Sequence, residues 1–312
     1  MFRCGYFFVL AVLFLFAGSA GAVTTPRDLR VALQELADLR VKEGSGKPPS
    51  RDVLEQTVRL RHRLRDYGIG SVIDSARRAS AVEEVLPRSL QRLREAEFPL
   101  LPAGAAAVEA IPEARAEVFA VPGAPEWLGL KTSVSLACGA DHALYFLHLL
   151  AAPEGGYEAS LAFAKENPLE SVADLTGVFE AVSVLGPLGT HLRVATIESA
   201  GGCTSRWRPV KMRVFQTDEH PYRPLRLFEK ERLAFLGEAP EPHASLSPDG
   251  FVFEYRTLYR LDAGRHSRTE TIRLVQEEQG VVRLPPASED PLAFVDEWVT
   301  TSWPEAQRWV AG

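Results

Sequence analysis

Two periodicities of apolar residues divide this chain into a helical first part and a strand-rich second part. Between residues 23 and 98, apolar positions recur every three or four residues, which is typical of amphipathic helices. Helix-start patterns at Thr25, Ser50 and Ser71 predict three helices, and the segment YGIG is expected to end the second. Pro87 is expected to kink or restart the third. The first helix carries an apolar stripe made of Leu29, Leu33, Leu36 and Leu39.

After a proline- and alanine-rich connector at residues 99–126, the apolar period changes to two. Residues 127–287 contain short alternating runs, separated by the turn sequences PEGG, SPDG and EQG. This spacing predicts an antiparallel β domain of about eight to ten strands, sandwich-like, with a closed barrel or a small propeller as alternatives. One strand is also expected inside the connector, at residues 117–121. The run YEASLAF alternates so that one face carries Tyr157, Ala159, Leu161 and Phe163.

The last residues, 288–312, return to a helical pattern. Asp290 before a proline predicts one helix, and Ser302 with Glu305 predicts a capping box for a second. The three tryptophans at positions 298, 303 and 309 have helical spacing, which favours core packing over a carbohydrate-stacking surface. The fold class is therefore predicted to be α+β, mainly antiparallel β, with a helical region at each end.

The first residues have the three-part pattern of a secretory signal peptide. A positive charge at Arg3 precedes an apolar run of about a dozen residues, and the small residues Ala20, Gly21 and Ala22 follow. A spanning helix needs about 20 apolar residues, so a permanent membrane anchor is the weaker interpretation. We expect residues 1–22 to be removed and the rest to be exported as a soluble protein. The excess of arginine over lysine indicates a bacterial origin with G+C-rich coding.

Charge is distributed unevenly along the chain. Residues 23–97 carry a net charge of +3 and residues 98–312 a net charge of −10. An acidic protein without a dense basic stripe is a poor candidate for nucleic-acid binding, which depends on phosphate neutralisation. The basic segment either docks on the acidic remainder or forms solvated helix faces. For the alternating arginines at positions 59, 61, 63 and 65, we expect solvated surface rather than an anion site.

Removal of residues 1–22 would leave two cysteines, Cys138 and Cys203. Paired thiols persist as disulfides in the oxidising compartments outside the cytoplasm, so the sequence predicts a bond between them. A catalytic thiolate would need a base and an orienting group. A zinc site would need another cysteine or histidine two to five residues away from Cys203, and none is there.

The common catalytic and cofactor motifs are absent from the sequence after residue 22. It contains no nucleophile elbow, zinc-protease helix, calcium loop or dinucleotide fingerprint, and GSGK at residues 44–47 lacks the rest of a phosphate loop. No cofactor or metal is therefore predicted. Two function classes remain: a non-catalytic binding protein, with a cell-envelope glycan or protein as partner, and an extracytoplasmic hydrolase acting on glycan or peptide.

One candidate binding site depends on the predicted disulfide. A bond between the two cysteines would bring Asp141 and His142 close to Ser205, Arg206 and Trp207. An acid, an imidazole, a hydroxyl, a guanidinium and a flat ring are the mixture that polar-ligand sites use. The alternative is structural: Arg206 would pair with Asp141 while Trp207 covers the disulfide.

The predicted disulfide can be tested by counting thiols. Under denaturing, non-reducing conditions, protein exported by a bacterial host is expected to have no titratable thiol, because Cys138 and Cys203 are paired. Reduction should then release two thiols. Two thiols before reduction would contradict both the disulfide and the site built on it.

Overall fold

The structure is a computed structural model. It describes residues 24–44, 48–103, 112–136, 139–169, 176–188, 191–200, 207–235, 242–247, 250–261, 264–277 and 280–285, and near the C-terminus residues 291, 295, 298–299 and 301–310. No helix in these ranges is both long enough and apolar enough to cross a membrane.

Within the described residues, bounds are defined for three α-helices before the first strand and for one after the last. They are α1 (Pro26–Glu43), α2 (Arg51–Arg77), α3 (Val85–Glu95) and α4 (Trp303–Val310), with a short 3₁₀ turn at Val82–Glu84. The predicted start of α1 is confirmed, because Thr25 and Asp28 form a reciprocal capping box there. The start of α2 is also confirmed, since the Ser50 side chain accepts a hydrogen bond from the backbone of Val53.

The predicted stop at YGIG is wrong, because α2 continues through both of its glycines to Arg77. Gly68 has a packing role there. A Cβ atom built on Gly68 would lie 2.7 Å from a methyl carbon of Leu130, so the absent side chain lets the helix approach the sheet closely. Ser71, where the third helix was expected to start, therefore lies inside α2. Its hydroxyl donates a hydrogen bond to the backbone carbonyl of Tyr67.

Twelve strands lie within the described residues, and every neighbouring pair is antiparallel. In chain order, β1 to β12 are Glu113–Ala120, Trp127–Leu136, Gly139–Ala151, Tyr157–Glu166, Thr176–Leu188, His191–Ala200, Trp207–Gln216, Leu225–Phe235, His243–Ser247, Gly250–Leu261, Gly264–Glu277 and Gly280–Arg283. The strand predicted in the connector is β1. The predicted α+β class, with an antiparallel sheet and N-terminal helices, is confirmed.

The strands form two antiparallel sections. The first is β1-β2-β3-β4, and the second follows the order β5-β6-β7-β8-β10-β11-β12, with β9 on the edge of β10. Among the described residues, one pair, Ala140 with Thr176, joins the two sections. In the same part of the chain, the pairing of β8 with β10 is described at Ala234 and Thr257. No closed barrel forms in the described part of the chain.

The helices cover one face of the first section. One apolar cluster joins α1 and α2 to β1 and β2, and a second joins α2 and α3 to β1–β4, with Tyr145 and Leu130 at its centre. The opposite face packs Phe146 and Phe163 against Phe215 of β7. Helices, first section and the β6–β7 part of the second section therefore stack as layers.

A β-bulge in β4 changes which side chains face the helices. Phe146 pairs with Phe163, but the next residue of β3, Leu147, pairs with Leu161, so Ala162 is an extra residue. Leu161 faces the helix layer, whereas Phe163 belongs to the cluster on the other face. The predicted common face of Tyr157, Ala159, Leu161 and Phe163 is therefore wrong at its last member, because one extra residue reverses the alternation.

Near the C-terminus, the structure describes helix α4, whereas most of the helix expected from Asp290 lies outside the described residues. The expected core position of Trp303 is wrong, since its side chain is 65% exposed. The side chain of Trp309 is outside the described residues.

The two clusters that helices and strands share lead to a prediction about cleavage. If a protease recognition sequence is placed within residues 104–111 and cut, the two fragments are expected to stay together in gel filtration, because each would otherwise expose a shared apolar face. Elution of a separate, folded β-rich fragment would contradict this.

Candidate functional site

The last residues of β4 connect two groups of charged side chains on opposite faces of the first section. Because the bulge at Ala162 reverses the alternation, Lys165 lies on the face away from the helices, and Glu166 faces them. Asn167 contacts both groups. Its backbone carbonyl accepts a hydrogen bond from Arg61 at 2.9 Å, and its side-chain oxygen accepts one from Lys165 at 3.2 Å.

On the helix side, a buried ion pair fastens α2 to β3. The Arg61 guanidinium lies 2.9 and 3.1 Å from the two carboxylate oxygens of Asp141. Their side chains are 6% and 0% exposed, so water does not compensate either charge. The expectation of solvated surface is wrong for Arg61 and for Arg65, which pairs with Glu166 at 3.2 Å. These two arginines are four residues apart and share a helix face.

Glu166 is the second anion of this helix-side group. It accepts a hydrogen bond of 2.8 Å from the Tyr145 hydroxyl and lies 3.6 Å from His62. Burial, with Glu166 beside it, raises the pKa of Tyr145, so the phenol stays a neutral donor. Burial lowers the pKa of His62. The group therefore anchors α2 to the sheet.

On the other side, a cleft of about 810 Å³ opens between the end of β4, the face of β6–β8 and the loop from β7 to β8. That loop is held against β4 by a hydrogen bond from the backbone of Ala164 to the carbonyl of Pro221, and its Tyr222 ring lies under the Arg65 guanidinium. The charged side chains that line the cleft are Lys165, Glu166, Glu198, Lys211, Arg213, Arg223, Arg226 and Glu231.

The inner wall of the cleft is a buried chain of ion pairs. Glu198 lies 2.8 Å from Lys165 and 3.2 Å from Arg213, and it also accepts a hydrogen bond of 3.0 Å from Thr196. Burial lowers the pKa of Lys165, and the neighbouring Glu198 opposes that shift. Arg213 continues the chain to Glu229 at 2.6 Å. The wall is therefore rigid and internally neutralised.

The cations at the rim of the cleft are less constrained. Within the described residues, the exposed Arg223 side chain has no ion-pair partner. Lys211 is about half exposed and lies 3.7 Å from an equally exposed Glu231, a separation that contributes little. Arg226 is 57% exposed and shares Glu229 with Arg213. The rim thus offers guanidinium and ammonium donors to a ligand.

Of the binding residues predicted from the sequence, the structure describes Asp141, His142 and Trp207. Asp141 and His142 are consecutive on β3, so their side chains lie on opposite faces, and Asp141 is occupied by Arg61. Burial lowers the pKa of His142 to about 3. Trp207 begins β7, and β5 and β6 lie between β3 and β7 in the strand order. It packs against Phe235, with ring centroids 4.7 Å apart.

The remaining predicted residues, Cys138, Cys203, Ser205 and Arg206, lie outside the described residues, so the disulfide stays a prediction. Among the described residues, no group of three or more histidine, cysteine, aspartate or glutamate side chains could hold a metal ion. Comparison with protein-family models, with curated proteins and with solved structures finds no match.

Sequence reasoning missed the charged residues that build the cleft, above all Lys165, Glu198 and Arg213. The sequence did indicate that Glu198 is unusual, because it is the one charged residue in the run VATIESA of β6. A charge in such a run needs a partner, because burial without one is costly. The sequence did not identify Lys165 as that partner, because the bulge in β4 determines which face of the sheet Lys165 lies on.

The Arg61–Asp141 pair predicts a large stability effect at neutral pH. Replacing Arg61→Met should lower the free energy of unfolding by about 3–5 kcal/mol, because it leaves a buried carboxylate without its cation. The matched control is Arg59→Met on the exposed side of α2, expected to change it by less than about 0.5 kcal/mol. Urea denaturation at pH 7 measures both. Equal effects would contradict the anchor.

The buried carboxyl group of Asp141 leads to a second prediction, that the stability of the fold depends on pH. Burial raises its pKa to about 6 from an ordinary 3.8, although Arg61 opposes the shift. The folded state then binds this proton more tightly than the unfolded state, so the stability contribution of Asp141 increases as pH falls from about 6 to 4, by roughly 3 kcal/mol in total. Wild type should therefore gain stability relative to Asp141→Asn over that range. A relative loss on acidification would mean that Arg61 outweighs burial.

Proposed function

We propose that this chain is an exported, non-catalytic binding protein whose cleft beside Lys165 takes a small acidic ligand or the acidic end of a larger one. The observation that carries the proposal is the division of the cleft into a neutralised wall and a cationic rim. Lys165 and Arg213 are committed to Glu198, whereas Arg223 and Lys211 project into solvent at the mouth. A carboxylate or phosphate group would find donors there without disturbing the buried pairs.

The net charge of the side chains that line the cleft is opposite in sign to the net charge of the whole chain. The protein carries a net charge of −6, but five cationic and three acidic side chains line the cleft in the described residues. A basic recess in an acidic surface attracts anions locally and repels them elsewhere. This favours an acidic ligand over a neutral or basic one.

The wall favours binding over hydrolysis. A glycosidase needs one carboxylic acid that can deliver a proton to the ligand and a second carboxylate opposite it. Both oxygens of Glu198 are already engaged, one by Lys165 and Thr196 and the other by Arg213. Glu166 is turned to the helix layer, towards Tyr145 and Arg65. The cleft therefore supports recognition better than acid catalysis.

We also infer that the second section is sandwich-like. Side chains from one face of β6–β7, such as Ile197 and Met212, share an apolar cluster with Phe251 and Phe253 of β10 and Ile272 of β11. An interior filled in this way supports ligand binding on the outer face of the section, where the cleft lies. The export and bacterial origin of the protein rest on its first residues and its composition, and they remain part of the proposal.

A panel of small sugars tests the function. Galacturonate and glucose 1-phosphate should bind, glucose and glucosamine should not, and affinity should fall as salt rises, because the rim contacts are solvent-exposed. The double variant Arg223→Gln/Arg226→Gln should weaken binding at least tenfold. Its control is Arg59→Gln/Arg94→Gln, which removes two exposed charges of α2 and α3 that do not line the cleft and should have no effect.

Titration calorimetry measures the affinities, and mass spectrometry of the incubated sugars detects turnover. If neither acidic sugar binds, or if the control variant loses as much affinity as the rim variant, the binding proposal fails. Release of hydrolysis products would support the hydrolase alternative instead.

A further inference from the structure

The cleft continues into a strip of exposed side chains along the β7–β8 ladder. On the face that lines the cleft, four cross-strand pairs follow one another, and they are Arg213 with Glu229, Lys211 with Glu231, Pro209 with Leu233 and Trp207 with Phe235. The ladder has no irregularity between these pairs, so all eight side chains point to the same side. We call this surface the four-row strip.

The strip changes in character along its length. Its first two rows are charged, and the next two are apolar or aromatic. Leu233 is 43% exposed, and Trp207 and Phe235 are partly exposed. Arg256 lies over the Phe235 ring, 5.8 Å from its centroid, and keeps a cation at the aromatic end. Consecutive rows are two residues apart, so the strip is roughly 20 Å long.

We propose that the ligand is an extended acidic glycan, with an acidic sugar at the rim cations and further sugar rings on the apolar rows. This proposal rests on the proposed function of the cleft and names the chemical class of its ligand. A sugar ring has an apolar face that packs on aromatic and aliphatic side chains, and hydroxyl groups that hydrogen-bond to charged neighbours. The charged row of Lys211 and Glu231 is followed by the apolar row of Pro209 and Leu233, so both kinds of contact lie next to each other.

Two other kinds of elongated ligand fit the strip less well. A peptide that binds by strand addition lies in the plane of the sheet beside a strand edge, whereas the strip is the side-chain face of two paired strands, β7 and β8. An acyl chain needs a continuous apolar slot, and the two rows nearest the rim carry charged side chains. The side-chain face of a ladder, with a cationic end, therefore favours a polymer of sugar rings with carboxylate or phosphate groups.

The test compares galacturonate with its linear tetramer and with a neutral tetrasaccharide. The acidic tetramer should bind at least tenfold more tightly than the monomer, and the neutral tetramer should bind at least tenfold more weakly than the acidic one. Trp207→Ala and Leu233→Thr should each remove most of the gain of tetramer over monomer while leaving monomer affinity unchanged. Leu150→Thr, at an equally exposed leucine of the first section, is the matched control.

The outcomes separate this inference from the function it rests on. If the monomer binds through the rim but the tetramer binds no more tightly, or if both strip variants retain the gain, the glycan inference is overturned and the binding function stands. Equal affinity of the neutral tetramer also overturns it. If no acidic sugar binds at all, both fail together. Because Leu233 is exposed, Leu233→Thr keeps the test valid should Trp207→Ala unfold the protein, which thermal melting would detect.

Discussion

The buried ion pair between Arg61 and Asp141 is the constraint on which the arrangement of this protein depends. Both groups are buried and each has the other as its partner, so the pair holds α2 against β3. Arg61 also binds the backbone of Asn167, and Arg65 binds Glu166, so the same helix face holds the end of β4. The bulge in β4 then directs Lys165 to the opposite face. One set of contacts thus fixes the helix layer and one wall of the cleft.

The buried charges of the cleft wall and the exposed charges of the rim have different roles. Lys165, Glu198 and Arg213 are almost fully enclosed and satisfy one another, which gives the wall a single geometry but leaves it little to offer a ligand. Arg223 and Lys211 are at the surface, where an existing ion pair such as Lys211–Glu231 is worth little, so their charges are available to a ligand anion. In the proposed function, the buried pairs therefore fix the wall and the rim cations recognise the ligand.

Much of the fold was predictable from local pattern, because helix caps and strand alternation are set by near neighbours. The capping residues Thr25 and Ser50 are examples. The helix end predicted at YGIG was wrong, because Gly68 instead allows close contact with Leu130, a residue distant in sequence. The candidate site around Cys138 and Cys203 stays a prediction, because most of its residues lie outside the described ranges. The cation that Asp141 binds could not be predicted from local pattern, since Arg61 lies on a helix 80 positions earlier. The face of the sheet on which Lys165 lies depends on one extra residue in β4. The periodicity of the sequence does not reveal that residue.

In the proposed function, a cationic rim on a charged wall receives an acidic sugar. Diffraction from crystals of the protein soaked with the galacturonate tetramer would locate that sugar. We expect a carboxylate within hydrogen-bond distance of Arg223 or Lys211, sugar rings over Pro209 and Leu233, and an unchanged Lys165–Glu198 pair. A tetramer bound elsewhere on the surface, with the cleft occupied only by solvent, would contradict it.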